Sequence, residues 1–205
     1  MERPRELAPT LCAALCVAVL GAGLVWQLTA GLQIFTSETW RRADIASAPR
    51  ALPDTWLEDE RGQTFNLRSL CGQVMVLDFI YTRCPTVCKS LGVASSQLAQ
   101  RFTQAGQAVT VMSISFDPLH DDPAHLRAFK GQMEPQPSAW RLARPIRSAE
   151  REHLLATAGV VVIPDGLQGY DHNAALHIVD KDCRITKLLD LEDMEDAHRT
   201  VQKLL

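Results

Sequence analysis

Hydrophobic positions along the chain fall into three regimes. From Leu11 to Leu28 (LCAALCVAVLGAGLVWQL) they are nearly continuous, with Gln27 the one strongly polar member. Such a stretch, extendable through Thr29 to Phe35, can cross a hydrocarbon core of roughly 30 Å at about 1.5 Å per helical residue. Residues 1–35 therefore read as an N-terminal membrane anchor. Leu28-Thr29-Ala30 also offers a small-residue cleavage site, so a signal peptide is the alternative, although the apolar core of a signal is usually only about 7 to 15 residues. Cys12 and Cys16 inside the stretch read as small apolar side chains. Residues 36–52 (TSETWRRADIASAPRAL) follow neither the helical nor the strand period and are expected to form a linker.

From Pro53 onward the pattern is that of a folded domain, 53–205. Trp56 to Leu67 alternates around Asp59-Glu60-Arg61-Gly62 and predicts a hairpin. Val74 to Tyr81 (VMVLDFIY) is an almost unbroken apolar run, which suits a central strand covered on both faces. Thr86 to Phe102 carries a helical pattern, Ala108 to Phe116 (AVTVMSISF) a second buried strand, and Pro123 to Met133 another helix. Ser148 to Ala158 reads as helical, Ala174 to Val179 and Ile185 to Leu189 as a hairpin turning at Asp180 to Arg184, and Leu191 to Leu205 as an amphipathic closing helix. This alternation predicts an α/β domain with a parallel strand pair and right-handed crossovers. Its order, behind an N-terminal hairpin, is that of a thioredoxin-like fold, a central mixed sheet flanked by helices.

Composition narrows the function classes. Hydrophobic residues make up 46% and charged residues 22%, which is a globular balance. The 21 basic and 24 acidic residues are scattered, with no basic stripe to follow a phosphate backbone, so no nucleic-acid partner is expected.

The candidate chemistry lies in the cysteines. Cys84-Pro85-Thr86-Val87-Cys88 falls where the apolar strand ends and a helix begins. Residues four apart share a helix face, so both sulfurs can address one small object. Free backbone N–H groups at a helix start favour thiolate, and Pro85 suits a position where a missing donor costs little. Two thiolates form a soft pair that favours Cu(I), with zinc also permitted. A third ligand comes from topology. A strand over 174–179 lying antiparallel beside 74–81 brings its start, and His172 just before it, to the end of the earlier strand near Cys84. Cys84, Cys88 and His172 then make a Cys2His set suited to Cu(I) and expandable for Cu(II). Taken alone, a Cys-x-x-x-Cys pair outside the cytosol reads equally as a disulfide or a redox pair. The same antiparallel pairing makes Cys71, before the first strand, a neighbour of Cys183, after the later one. A structural disulfide there would contribute roughly 2 to 4 kcal/mol.

Over residues 52–205 the chain resembles the Sco/SenC family, the membrane-anchored thioredoxin-like copper proteins of cytochrome c oxidase assembly. The resemblance rests on Tyr81-Thr82-Arg83-Cys84-Pro85-Thr86-Val87-Cys88, on Ser115-Phe116-Asp117-Pro118 with Asp122-Pro123, and on Asp171-His172. It implies copper ligation by Cys84, Cys88 and His172. It also implies a single anchor in the inner membrane with the domain on the periplasmic side, and a respiratory oxidase copper-site subunit or another copper protein as partner. Lys89 and Leu142-Ala143-Arg144 depart from the family's usual proline and Leu-Thr-Gly without removing a ligand.

Two aspartates raise competing roles. Asp78 interrupts the apolar strand six residues before Cys84, where thioredoxins keep a buried aspartate that assists proton transfer. Asp78 thus supports either proton handling in a redox reaction or a water-linked structural role. Asp171 can orient the imidazole of His172, tune its basicity, or simply shape its turn. The chain accordingly reads first as a copper metallochaperone, a role that needs no turnover. The alternatives are a thiol-disulfide oxidoreductase, with Cys84 and Cys88 as attacking and resolving thiols restored by a thiol reductant, and a copper or redox sensor.

Overall fold

The computed structural model describes residues 7–29, 31–32, 36–84 and 86–205. Ala30, Phe35 and Pro85, which entered the expectations above, lie outside the described residues. The chain divides into two units, Met1–Ala43 and Asp44–Leu205.

In the first unit, helix α1 (Leu7–Leu28) includes the segment Pro9–Leu28, with mean hydropathy 2.1 and no part of it buried. It is long and apolar enough to cross a membrane. Helix α2 (Ser37–Ser47) corrects the expected linker at 36–52. Local polar contacts build it in place of an apolar stripe. The Thr39 N–H donates to Thr36 Oγ1 at 3.1 Å, and Glu38 in the first turn pairs with Arg41 at 2.6 Å and Arg42 at 2.8 Å. Capping and i,i+3/i,i+4 ion pairs stabilise a helix without any hydrophobic period.

The second unit is a thioredoxin-like α/β domain. Its strands are β1 (Arg50–Ala51), β2 (Trp56–Asp59), β3 (Thr64–Asn66), β4 (Val74–Ile80), β5 (Val109–Ser115), β6 (Trp140–Pro145), β7 (Val162–Pro164), β8 (Tyr170–His172), β9 (Leu176–Val179) and β10 (Arg184–Leu189). Its helices are α3 (Val87–Gln104), α4 (Pro123–Lys130), α5 (Ser148–Ala158) and α6 (Met194–Gln202). The eight-stranded sheet runs β1-β10-β9-β4-β5-β6-β2-β3. β4, β5 and β6 are parallel, while β9 and β10 on one side and β2 and β3 on the other are antiparallel to their neighbours. Every residue of β4 is buried, as its apolar run requires. Helix α3 covers β4 and β5 and meets α6.

Two elements escape the hydrophobic pattern. β6 (WRLARP) carries two arginines, neutralised from the strand it pairs with: Arg141 meets Asp59 at 3.0 Å and Arg144 meets Glu58 at 2.7 Å. β7 and β8 form a separate two-stranded hairpin, too short to show a period. His172 therefore ends a strand of its own and does not simply precede β9.

Element ends follow local chemistry. Asp122 caps α4, accepting from the His125 N–H at 2.9 Å with Pro123 in the first turn. Gly159 ends α5 in the left-handed conformation at φ 68°. At the far end of the β4–β9 pair, Cys71 and Cys183 are joined in a disulfide with Cα atoms 5.3 Å apart, across a sequence separation of 112.

Candidate functional site

The site forms where β4 runs out. Past Ile80 the chain turns, with the Cys84 N–H donating to the Tyr81 carbonyl at 3.3 Å, and enters α3 at Val87. The turn is bolted to the segment after β5. Asp121, fully buried, accepts from the Thr82 N–H at 2.9 Å, the Thr82 hydroxyl at 2.6 Å and the Ser115 hydroxyl at 2.6 Å. Arg83 donates to Asp117 at 2.8 Å, and Asp117 also holds the Nδ1 edge of His120 at 2.9 Å. Through Ser115 and Asp117 the Ser-Phe-Asp-Pro segment thus positions the cysteine turn.

Both thiols are free and buried, Cys84 at 4% exposure and Cys88 at 0%. The first turn of α3 aims the Cys88 N–H at Cys84 Sγ, 3.4 Å away. His172, at the end of β8, brings Nε2 to 3.5 Å from Cys88 Sγ across a sequence separation of 84. Its ring packs in an aromatic box, 5.0 Å from Phe116 and 6.5 Å from Tyr81 between centroids.

The thiols are chemically unequal. Burial works against ionising Cys84, yet its thiol is held below the usual range because the backbone N–H groups of Cys88 and Thr86 point at its sulfur. Burial drives Cys88 the other way, well above the usual thiol range, with the neighbouring Cys84 and Asp78 charges adding to the shift. Burial also holds the His172 imidazole below its ordinary value, against the pull of the Asp171 charge. Of the two thiols Cys84 therefore ionises the more readily and Cys88 stays protonated, while the neutral His172 ring keeps a nitrogen lone pair for a metal or for the Cys88 S–H.

Asp78 lies fully buried in β4, opposite Ser113 of β5. Its Oδ2 accepts from Ser113 at 2.8 Å and from the Ser95 hydroxyl of α3, and the Trp140 indole N–H donates to Ser113 at 3.0 Å. Oδ1 is buried without a partner. Burial raises the Asp78 pKa to about 7, outweighing the two serine hydrogen bonds.

The expected residues thus converge unevenly. Cys84, Cys88 and His172 come together through Cys88, although among the described residues no three His, Cys, Asp or Glu side chains form a preformed metal cage. His172 Nδ1 is buried without a partner, which leaves a second nitrogen uncommitted. Asp171 is exposed, and with Nδ1 unpartnered the orienting hydrogen bond expected of it is not made. Asp121, Ser95 and Tyr81 escaped the sequence reading of the site. The spacing from Asp117 to Asp121 was the available signal for the first, and Ser95, seven residues after Cys88 on one helix face, for the second.

The family model described as SCO1/SenC matches residues 49–205. The SCO1 protein homolog of Bacillus subtilis (strain 168) is 26% identical over 132 residues, covering 63% of this chain and 68% of the relative. Among solved structures, a SCO1/SenC family lipoprotein from Bacillus anthracis superposes with a TM-score of 0.69 at 24% identity, over 77% of this chain and 97% of its own. Bradyrhizobium japonicum ScoI, solved with copper bound, gives a TM-score of 0.63 at 25% identity, over 76% and 99%.

Proposed function

The chain belongs to the SCO1/SenC family, and from that membership and its thiol site we propose a copper metallochaperone that matures the copper site of a respiratory oxidase subunit. The observation carrying this reading is the contact of the neutral His172 imidazole with Cys88, 3.5 Å from a sulfur paired with Cys84. Two sulfurs and one nitrogen are a soft donor set that matches Cu(I), and the imidazole also suits Cu(II). Copper is the cargo. Loading deprotonates Cys88, and delivery exchanges Cys84, Cys88 and His172 for the acceptor's own ligands at a docked interface. The relative from Bradyrhizobium japonicum, solved with copper bound, supports the assignment.

α1 acts as the retained anchor in the inner membrane, with the domain on the periplasmic side. The Cys71–Cys183 disulfide supports an oxidising compartment.

The test is an anaerobic copper titration of the reduced, detergent-solubilised chain, with Cys12 and Cys16 replaced by alanine so that the anchor thiols do not compete. One copper should bind per chain. His172→Ala should weaken retention by at least about 10- to 100-fold, the loss caused even by removing an outer-shell partner of a metal. Equal retention by the variant would sink the reading.

The unequal thiols and Asp78 favour a second reading, a thiol-disulfide oxidoreductase serving a copper-site partner. Cys84 thiolate attacks the partner's disulfide and releases one partner thiolate, and Cys88 then displaces the other. The partner gains two electrons, the pair becomes a disulfide, and a thiol reductant must restore it. His172→Ala should leave this exchange largely intact, whereas Asp78→Asn should slow it.

A further inference from the structure

The third ligand sits on a hairpin with weak means of its own. β7 and β8 form a two-stranded sheet apart from the main one, and such pairs are marginal in isolation. The hairpin exposes Ile163 at 57% and, at its tip, Leu167 at 86%, so apolar burial on that side does little to hold it. Its base is tied by Asn173, which accepts from the Val161 N–H at 2.7 Å and donates to the Gly159 carbonyl at 2.9 Å. The rest of the hairpin packs on the core through Val162 and Tyr170, with Phe116 against the Tyr170 and His172 rings, and its polar tie over the thiols is the side chain of Tyr81, 4% exposed just past β4.

The Tyr81 hydroxyl meets the backbone of Tyr170 twice. It accepts from the Tyr170 N–H at 3.2 Å and donates to the Tyr170 carbonyl at 3.4 Å. Tyr170 is two residues before His172. The turn beside this clasp leaves room for the hydroxyl: a Cβ at Gly169 would lie 3.2 Å from Tyr81 Oη and would clash with Asp165 Oδ2. Asp165 in turn accepts from the Leu167 and Gly169 N–H groups at 2.7 and 2.9 Å. We infer that Tyr81 is a positioning residue for His172, its hydroxyl clasping the β8 backbone so that the imidazole stays over the thiol pair. The inference rests on the reading of His172 as a copper ligand, and it adds that ligand retention depends on a phenol hydroxyl outside the donor set.

Tyr81→Phe isolates the hydroxyl, because the ring can keep its contacts with Phe116 and Tyr170, at 5.3 and 5.2 Å. In the metal-free, detergent-solubilised chain, hydrogen exchange at the amides of 170–172 should quicken roughly tenfold, the worth of one or two modest hydrogen bonds. Exchange in β4 and β9 should stay unchanged. Copper retention should fall about tenfold, with weakened imidazole nitrogen coupling in the pulsed EPR spectrum of the Cu(II) form. In a His172→Ala background the same substitution should change retention no further. Gly169→Ala, which crowds the clasp while keeping the hydroxyl, should act in the same direction and serves if Tyr81→Phe fails to fold. Unchanged exchange at 170–172, or an equal loss of retention with and without His172, would overturn the clasp. If the unsubstituted protein holds no copper through His172, the chaperone reading fails and the exchange data alone decide whether Tyr81 fastens the hairpin.

Discussion

The two ends of the β4–β9 pair each bring cysteines together, and they do opposite things with them. At one end Cys71 and Cys183 flank the strands, face each other with Cα atoms 5.3 Å apart and are oxidised. At the other end Cys84 and Cys88 remain thiols, with His172 arriving beside Cys88. The stapled end is closed by its neighbouring turns, with the Gly72 N–H donating to the Lys181 carbonyl at 2.9 Å. The open end is surrounded by N–H groups of a helix start, a buried carboxylate and an aromatic box. The same residue type becomes a staple where two strand ends supply only proximity. It becomes a reactive site where a helix start and burial make two sulfurs unequal.

The largest perturbation tests whether the ends are independent. Replacing Cys71 and Cys183 by serine should lower the unfolding free energy by roughly 2 to 4 kcal/mol, with the chain-entropy value of about 5 kcal/mol for a loop of this length as the upper bound, as read by urea unfolding of the detergent-solubilised chain. Below the new unfolding midpoint, copper retention at Cys84 and Cys88 should be unchanged; a parallel loss would merge the two ends into one unit.

Asp78 comes next and belongs to the open end. Its carboxyl ionises near 3.8 in the unfolded chain and at about 7 when folded, so between those values the native state holds a proton that the unfolded state has released. Stability from this group is complete below pH 3.8 and is lost as pH rises to about 7, amounting to up to about 4 kcal/mol above that point. Asp78→Asn should therefore raise stability at pH 8 by as much as that and leave it nearly unchanged at pH 4. A gain of equal size at both pH values would show that the Asp78 charge is not the cause.

The smallest effect concerns the support of the cysteine turn. Asp121→Ala removes the acceptor shared by the Thr82 N–H, the Thr82 hydroxyl and the Ser115 hydroxyl, which should cost about 1 to 3 kcal/mol. The reaction of Cys84 with a thiol reagent should quicken as its turn loosens. If that rate holds steady while stability falls, Asp121 stabilises the domain without governing the open end.

Much of this was legible in the chain itself, and the omissions have physical causes. The buried strands β4 and β5 announced themselves because full coverage demands unbroken apolar runs. The pairing of Cys71 with Cys183 followed from the antiparallel placing of the later strand beside β4 in a thioredoxin-like order, together with an oxidising compartment. α2 was missed because capping and ion pairs, which leave no apolar stripe, hold it together. β6 was obscured because its arginines are neutralised from another strand.

By itself the sequence determined the apolar α1, the placing of Cys88 on the first turn of α3 with Cys84 in the turn just before it, and the lone carboxylate in β4. Each of these depends on residues close together in the chain, whose spacing sets which face they share. Tertiary structure alone decided how His172 reaches Cys88 across 84 positions, which thiol ionises first, and what fastens the hairpin that carries the imidazole. Those outcomes depend on burial and on donors brought from distant segments, and no local spacing records either.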